Sequence, residues 1–215
     1  MNCRKHSTRP VACCWHCRRT LWRQRVLDCL VNGELSTHIS CADRGLHYGD
    51  GIFETLAVFR GVPRFWQFHM DRLATGCKRL GLELTPQNVL LREVQTVSAG
   101  RKACVVKIIV TRGTGGRGYD PANASGSCRV VSAYSMPEDI EHQALHGINA
   151  RIASLRLALQ PALGGIKHLN RLEQVIARSE WTDPTIQEAI LLDPEDHVIS
   201  GISGNIFLIS GERML

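Results

Sequence analysis

A lysine suited to imine chemistry occupies the segment 164–175, where Lys167 directly precedes a predicted helix. A lysine that forms an imine must be neutral for part of the time, and burial or nearby positive charge lowers its pKa. His168 flanks Lys167 and Arg171 follows four residues later, so we expect a lowered pKa for this lysine. The segment by itself favours an ordinary lysine in a loop.

A glycine-rich loop at 111–119 carries a second set of polar groups, Arg112, Arg117 and Tyr119. Glycine allows the backbone to approach a ligand closely, and arginine binds carboxylates through two parallel hydrogen bonds. The loop therefore suits closure over an anionic ligand. It lacks the Gly-Lys-Ser/Thr ending of a phosphate-binding P-loop, and a flexible surface loop is the alternative interpretation.

A third segment, 42–55, mixes turn residues with acidic, basic and aromatic groups and leads into a strand. His47 and Tyr48 stand in its middle. The composition of this segment is compatible with an active-site loop but does not identify one.

The elements that must position these groups form an α+β pattern in two halves. We predict one domain at 29–135 and a second at 147–215, joined by a linker at 136–146. Thr85 is the expected N-cap of the second helix, and Gly81 is expected to end the first. The predicted strands lie at 52–60, 103–112, 128–135, 148–157, 189–192, 197–200 and 205–209, and the helices at 66–80, 86–98 and 169–181.

The third predicted helix should have one buried apolar face, because its large apolar residues recur at helical spacing. These residues are Leu169, Leu172, Val175 and Ile176.

The net charge of +6 comes from residues 1–28, which hold seven Lys and Arg residues and one acidic residue. The other 187 residues are formally neutral, which argues against a nucleic-acid-binding body.

Five of the nine cysteines lie at or before Cys29, and an odd, scattered set of cysteines suits a reducing cytosol. Cys14 and Cys17 have the spacing of metal ligands, with Cys3 and His6 as irregularly spaced partners for zinc.

Residues 1–28 are predicted to form a disordered extension, and a transit peptide is the alternative on composition. No apolar run reaches the roughly 18–20 residues of a membrane helix.

Taken together and in order, four segments resemble the fold type IV class of pyridoxal-phosphate enzymes. They are 43–55, 69–73, 112–119 and 167–175. The class includes branched-chain and D-amino-acid transaminases, but the last two segments are most similar to those of the aminodeoxychorismate lyases. The resemblance covers about residues 30–215.

The resemblance implies that Lys167 binds pyridoxal 5'-phosphate as a Schiff base and then moves the substrate proton. It also implies that Arg72 contacts the cofactor phosphate and that Ser203 and Asn205 lie in the turn beside the cofactor. For the substrate, the implied binding residues are Arg112, Arg117, Tyr119, His47 and Tyr48.

The implied reaction converts 4-amino-4-deoxychorismate into p-aminobenzoate and pyruvate for folate synthesis, without a metal or a redox cofactor. The implied assembly is a homodimer with the active site near the subunit interface, and the implied location is the cytoplasm.

Ser200 is a departure from this pattern, because many members have a glutamate here that keeps the pyridine nitrogen protonated. A serine carries no charge, so we predict a weaker electron sink while keeping Ser200 among the cofactor-binding residues. The chain also stops at Leu215, just after a predicted strand and turn, so we expect the C-terminal domain to be incomplete. A transaminase and an inactive remnant are the alternatives.

Overall fold

The computed structural model describes residues 26–214. The predicted zinc ligands near Cys14 and Cys17 lie outside these residues, as does most of the predicted N-terminal extension. The first strand, however, begins at Val26. Residues 26–28, which were predicted to lie in the extension, therefore belong to this strand.

The first half of the fold is a six-stranded antiparallel sheet. Its strands are β1 (Val26–Val31), β2 (Glu34–Leu35), β3 (Gly51–Phe59), β4 (Val62–Pro63), β5 (Ala103–Thr111) and β6 (Cys128–Tyr134). Their order across the sheet is β2-β1-β6-β5-β3-β4. Residues of the central strand β5 alternate, so that every second residue is fully buried under the helices while the others face the open side of the sheet.

Three helices belong to this half: α1 (Arg44–Tyr48), α2 (Trp66–Leu80) and α3 (Gln87–Ser98). The predicted helix at 66–80 is confirmed, and it ends at Gly81, whose φ of 62° lies in the left-handed region. Helix α3 begins one residue later than predicted, and its N-cap is Pro86 rather than Thr85. The apolar faces of α2 and α3 cover one face of the sheet and form the main core with residues such as Leu56, Met70, Leu90, Val106 and Ile108.

The second half is a smaller sheet in which β7 pairs in parallel with β8, and β8 pairs antiparallel with β9. A short hairpin, β10–β11, follows it. A separate core of Ala153, Ala177, Trp181 and Leu191 fills the space between this sheet and α5. The elements are α4 (Ile140–His146), β7 (Asn149–Arg156), α5 (Leu172–Arg178), β8 (Ile186–Leu192), β9 (Val198–Gly201), β10 (Ile209–Ser210) and β11 (Arg213–Met214).

Several local predictions were wrong. The segment 136–146 was predicted as a linker but contains helix α4, and the strand predicted at 205–209 is irregular apart from its last residue. Helix α5 is shorter than the predicted 169–181, and only Ala177 on it is buried. The predicted buried face is largely exposed, at 75%, 60% and 53%, for Leu172, Val175 and Ile176. The helix contacts its sheet through the small side chain of Ala177. Among residues 26–214, no element covers its larger apolar side chains.

The two halves meet along the edge of β3. Strand β4 pairs only with the end of β3, at Val58 and Phe59, which leaves the beginning of β3 free. The segment before α5 uses this edge: the amide of Phe53 donates to the carbonyl of Lys167 at 2.8 Å, and the amide of Leu169 donates to Gly51 at 2.9 Å. A Cβ at Gly51 would lie 2.6 Å from the backbone carbonyl oxygen of Val110, so the pairing of β3 with β5 at this position requires glycine.

Candidate active site

Lys167 lies on the open face of the large sheet, fixed by its backbone bond to β3. Its side chain is half-buried, and its Nζ lies 4.8 Å from the centroid of the Phe53 ring. Burial lowers the pKa of the Lys167 amine, and the charge of Arg72 lowers it further, against an opposing effect of Glu54. The pKa of Lys167 is therefore lowered as predicted, which favours the neutral amine, the form that can attack a carbonyl carbon.

Arg72 is held beside this lysine by a carboxylate in the core. Glu54 on β3 is fully buried and accepts two hydrogen bonds of 2.6 Å from Nε and Nη2 of Arg72. Nδ1 of His69 donates to the same carboxylate at 2.8 Å. Burial alone would raise the pKa of Glu54, but the hydrogen bonds from Arg72 and His69 outweigh it and keep the pKa below its ordinary value.

The donor set fits pyridoxal phosphate. A lysine amine with a lowered pKa can bond the aldehyde carbon, and a cation beside it can bind the phosphate. The side chain of Arg72 is 39% exposed, and its Nη1 makes no hydrogen bond to residues 26–214. Arg72 therefore keeps donors for an anion after binding Glu54.

The glycine-rich loop forms a second group of polar residues. A cavity of about 280 Å³ is lined by His47, Tyr48 and Arg117, together with Arg44 and the loop backbone. The hydroxyl of Tyr48 accepts a hydrogen bond of 3.1 Å from the amide of Gly118. The rings of Tyr48 and Tyr119 meet edge to face, with centroids 5.4 Å apart. The structure therefore brings these four predicted substrate residues together.

An ion-pair network fixes this loop. Asp50 accepts hydrogen bonds from Nε of Arg44 at 2.9 Å and from Nε of Arg112 at 2.8 Å. Arg44 also donates to the carbonyls of Gly118 and Tyr119, which ties the far end of the loop to α1. Burial would raise the pKa of Asp50, but the hydrogen bonds from the two arginines hold it below its ordinary value.

Arg112 is committed to internal contacts. Besides its two bonds to Asp50, it donates to the carbonyls of Leu80 and Gly81, so four of its five guanidinium hydrogens are taken. Arg112 thus anchors the loop against α2, which differs from its predicted role in binding a substrate carboxylate.

Strand β9 and the turn after it contain the remaining predicted cofactor residues. Ser200 is half-buried in β9 opposite Leu191, whereas Ser203 and Asn205 are exposed. Glu188 shapes the turn by accepting hydrogen bonds from the amide and hydroxyl of Ser203. Among residues 26–214 no hydrogen bond joins these three residues to Lys167, so their contact with a cofactor stays a prediction.

A family model described as amino-transferase class IV matches residues 51–215. The chain belongs to this family. It is 32% identical over 184 residues to an aminodeoxychorismate lyase of Vibrio harveyi, which covers 86% of this chain and 68% of that protein. It is 27% identical to a D-alanine aminotransferase of Bacillus licheniformis, covering 83% of this chain and 64% of that protein.

Two solved structures share the fold of this class IV chain. The 4-amino-4-deoxychorismate lyase of Pseudomonas aeruginosa matches with a TM-score of 0.80 and 42% identity, covering 86% of this chain and 68% of that one. The branched-chain amino acid aminotransferase of Escherichia coli matches with a TM-score of 0.77 and 20% identity, covering 88% and 67%. The predicted fold and family resemblance are confirmed.

The class IV chain thus presents two separate groups of predicted site residues. Lys167 and Arg72 form one, at the beginning of β3, where Lys167 bonds the strand's free edge and Arg72 pairs with Glu54. His47, Tyr48 and Arg117 line the loop cavity, Tyr119 packs against the ring of Tyr48, and Lys167 is absent from the lining.

The sequence reasoning missed the acids that organise both groups, Glu54 and Asp50. The signal for Glu54 was a single charged residue in an otherwise apolar strand, which indicates a buried partner. Lys107 is likewise a single charged residue in the otherwise apolar strand β5.

Among the described residues, no helix is long and apolar enough to cross a membrane. The same part of the chain holds no group of three or more His, Cys, Asp or Glu side chains placed to share a metal ion. Its five cysteines are free thiols.

Proposed function

We propose that this chain is a pyridoxal-phosphate-dependent lyase that converts 4-amino-4-deoxychorismate into p-aminobenzoate and pyruvate for folate synthesis. The observation that supports this most strongly is the pairing of a half-buried Lys167, whose pKa is lowered, with Arg72, which keeps free donors. The relatives named as lyases in Vibrio harveyi and Pseudomonas aeruginosa support the choice of substrate.

In the proposed reaction, Lys167 would hold pyridoxal phosphate through its Nζ, and Arg72 would bind the cofactor phosphate. Pyridoxal phosphate, when bound, would supply an electron sink for the carbon that bears the substrate nitrogen. Nζ of Lys167 would take the proton from that carbon. Enolpyruvate then leaves from the adjacent carbon, and the six-membered ring becomes aromatic as p-aminobenzoate.

The loop cavity supplies a site for part of the substrate. Arg117 is a cation at its rim, and the ring of Tyr48 together with His47 provides an aromatic wall. We assign this cavity to the carboxylate and ring of the substrate. Because it does not contain Lys167, we also propose that two copies of the chain form a homodimer with the active site near their interface. Light scattering of the purified chain measures its mass directly.

The test is an assay of pyruvate and p-aminobenzoate after adding 4-amino-4-deoxychorismate and pyridoxal phosphate. The proposal expects equal amounts of both products from the parent chain and none from a Lys167→Ala variant. A Lys102→Ala variant, which removes an exposed lysine, is the matched control and should keep parent activity. Absence of both products from the parent would count against a lyase.

A transaminase is the competing function, because a relative with a similar share of aligned residues is a D-alanine aminotransferase. The same preparation, given an amino acid and a 2-oxoacid, separates the two functions. Transfer of the amino group without pyruvate release from 4-amino-4-deoxychorismate would favour the transaminase. The free thiols suit a reducing compartment, and we propose the cytoplasm.

A further inference from the structure

Two histidines lie one helical turn apart on α4, the short helix between the two halves of the chain. The imidazole rings of His142 and His146 stack with their centroids 4.2 Å apart and an angle of 23° between their planes. Both side chains are exposed. Because residues four apart on a helix share one face, α4 presents two imidazoles side by side to solvent. Imidazole is a frequent ligand of zinc and related metal ions.

The hydrogen bonds of this pair leave ring nitrogens available. Nδ1 of His146 donates to the carbonyl of His142 at 3.0 Å. A neutral imidazole carries a single N–H group, so Nε2 of His146 keeps a lone pair when Nδ1 donates. A bond from one ring nitrogen to a backbone carbonyl is also the arrangement that orients metal-binding histidines. The side chain of His142 makes no hydrogen bond to residues 26–214, so both rings can present Nε2 to one ion.

The surroundings of the two histidines are acidic. Glu138, Asp139 and Glu141 are exposed, and none of them forms a salt bridge within residues 26–214. No lysine or arginine occurs in the sequence between Arg129 and Arg151. The segment therefore carries a local excess of negative charge, which attracts a cation to α4.

Helix α4 has few interactions that hold it in place. It is seven residues long, it buries none of them, and its N-cap Asp139 makes no side-chain hydrogen bond. Helices of this length are unstable in isolation, because nucleation costs more than a few backbone hydrogen bonds return. An ion that binds both histidines requires the helical spacing between them and therefore stabilises the helix.

We propose that His142 and His146 chelate one divalent transition-metal ion, such as zinc, through their Nε2 atoms. Water completes the coordination, because the described part of the chain offers no third His, Cys, Asp or Glu placed to share an ion. Two imidazole nitrogens select zinc and related ions over magnesium, which prefers oxygen ligands. The bound ion fixes the connecting helix and takes no part in the proposed lyase reaction.

The test measures hydrogen exchange of the full chain, resolved by peptide, in zinc chloride or in magnesium chloride at equal concentration. The amides of residues 143–147 bond within α4, from Gln143 to the C-cap Gly147. Zinc at about ten times its half-saturating concentration should slow their exchange about tenfold, because an ion that binds only the helical form reduces opening of the helix in that proportion. Magnesium should leave the exchange unchanged.

Replacing either histidine should remove this effect. His142→Ala and His146→Ala should each abolish the slowing by zinc, and alanine keeps the helix because it is the best helix former. Gln143→Ala, on the same helix, and His38→Ala, at an exposed histidine elsewhere, are the matched controls and should keep the full zinc effect. Equal slowing in the parent and in both histidine variants, or no slowing in the parent, would overturn the proposal.

Chemical modification distinguishes one shared ion from two separate ones. Diethyl pyrocarbonate acylates free imidazole, and a peptide map reports the modification of each histidine. A shared ion should protect His142 and His146 at the same zinc concentration, and protection of His142 in His146→Ala should need at least about tenfold more zinc. Unchanged protection of His142 in that variant would contradict a chelate.

Both measurements are taken on peptides from α4, so zinc bound by cysteines elsewhere does not enter them. Neither uses pyridoxal phosphate or the substrate. The metal site can therefore fail while the lyase assay succeeds, and the reverse outcome is equally distinguishable.

Discussion

Arg72 on α2 and Glu54 on β3 form a bidentate ion pair in which both hydrogen bonds measure 2.6 Å. The carboxylate is fully buried, whereas the guanidinium is 39% exposed. The core thus fixes one side of the arginine and leaves its other side directed toward solvent near Lys167. A cation held in this way can bind a phosphate with little loss of side-chain entropy.

Replacing Glu54 with glutamine keeps the shape of the side chain but removes the charge that Arg72 contacts. We expect Glu54→Gln to lower the free energy of unfolding by about 1–3 kcal/mol, because a buried polar network loses its ionic partner while the exposed arginine is partly solvated. Urea unfolding measures this change. The exposed Glu83→Gln should remain within about 0.5 kcal/mol of the parent, and equal losses in both variants would contradict a special role for Glu54.

Acid should weaken the fold partly through Glu54 and Asp50, whose pKa values both lie below their ordinary values of 4.5 and 3.8. A carboxyl group with a lowered pKa in the fold stabilises it above the unfolded pKa. This stabilisation is lost as the pH falls through the folded pKa.

We therefore expect the contribution of these two groups to stay constant between about pH 7 and pH 5.5 and to decline below about pH 4.5. The measurement is the Tm as a function of pH. A variant carrying Glu54→Gln and Asp50→Asn should lose less stability on acidification than the parent. Parallel curves for the two proteins would show that these carboxylates do not carry the effect.

Removing the charge of Asp50 should release the glycine-rich loop. Asp50→Asn leaves Arg44, whose side chain is only 5% exposed, without its counter-ion, and we expect a loss of about 2–3 kcal/mol. Hydrogen exchange of residues 112–119 should accelerate, because Arg44 and Arg112 no longer share an anchor. Asp139→Asn, at an exposed position without a side-chain capping bond, is the control. Unchanged exchange in the loop would refute this account of how it is held.

Ser200 offers a test of the predicted weak electron sink. If a glutamate at this position protonates the pyridine nitrogen, Ser200→Glu should raise the rate of pyruvate release, and each tenfold gain corresponds to about 1.4 kcal/mol of barrier. Ser200→Gln, which has the same length but no charge, separates charge from size. Turnover in Ser200→Glu that equals or falls below the parent value would count against the idea.

The sequence was sufficient for the family and for the fold, because a family pattern and strand-like and helix-like spacing are local signals, and the role of Lys167 stays a prediction. It was insufficient for Glu54, whose partner Arg72 lies 18 residues away on another element. It also did not reveal the internal partners of Arg112, because Asp50 and the end of α2 become its neighbours only when the sheet has formed. Periodicity predicted that Leu172 and Val175 are buried, but their burial depends on what packs against α5, which periodicity does not reveal.

The most direct test of the central claim, that Lys167 binds the cofactor, is the visible absorption spectrum of the purified chain with pyridoxal phosphate. We predict an absorption band of bound cofactor that borohydride reduces, and a peptide map that places the reduced adduct on Lys167. Lys167→Ala should lack both, while Lys102→Ala should retain them. An adduct on Lys107 or another lysine, or an unchanged band in Lys167→Ala, would contradict the account.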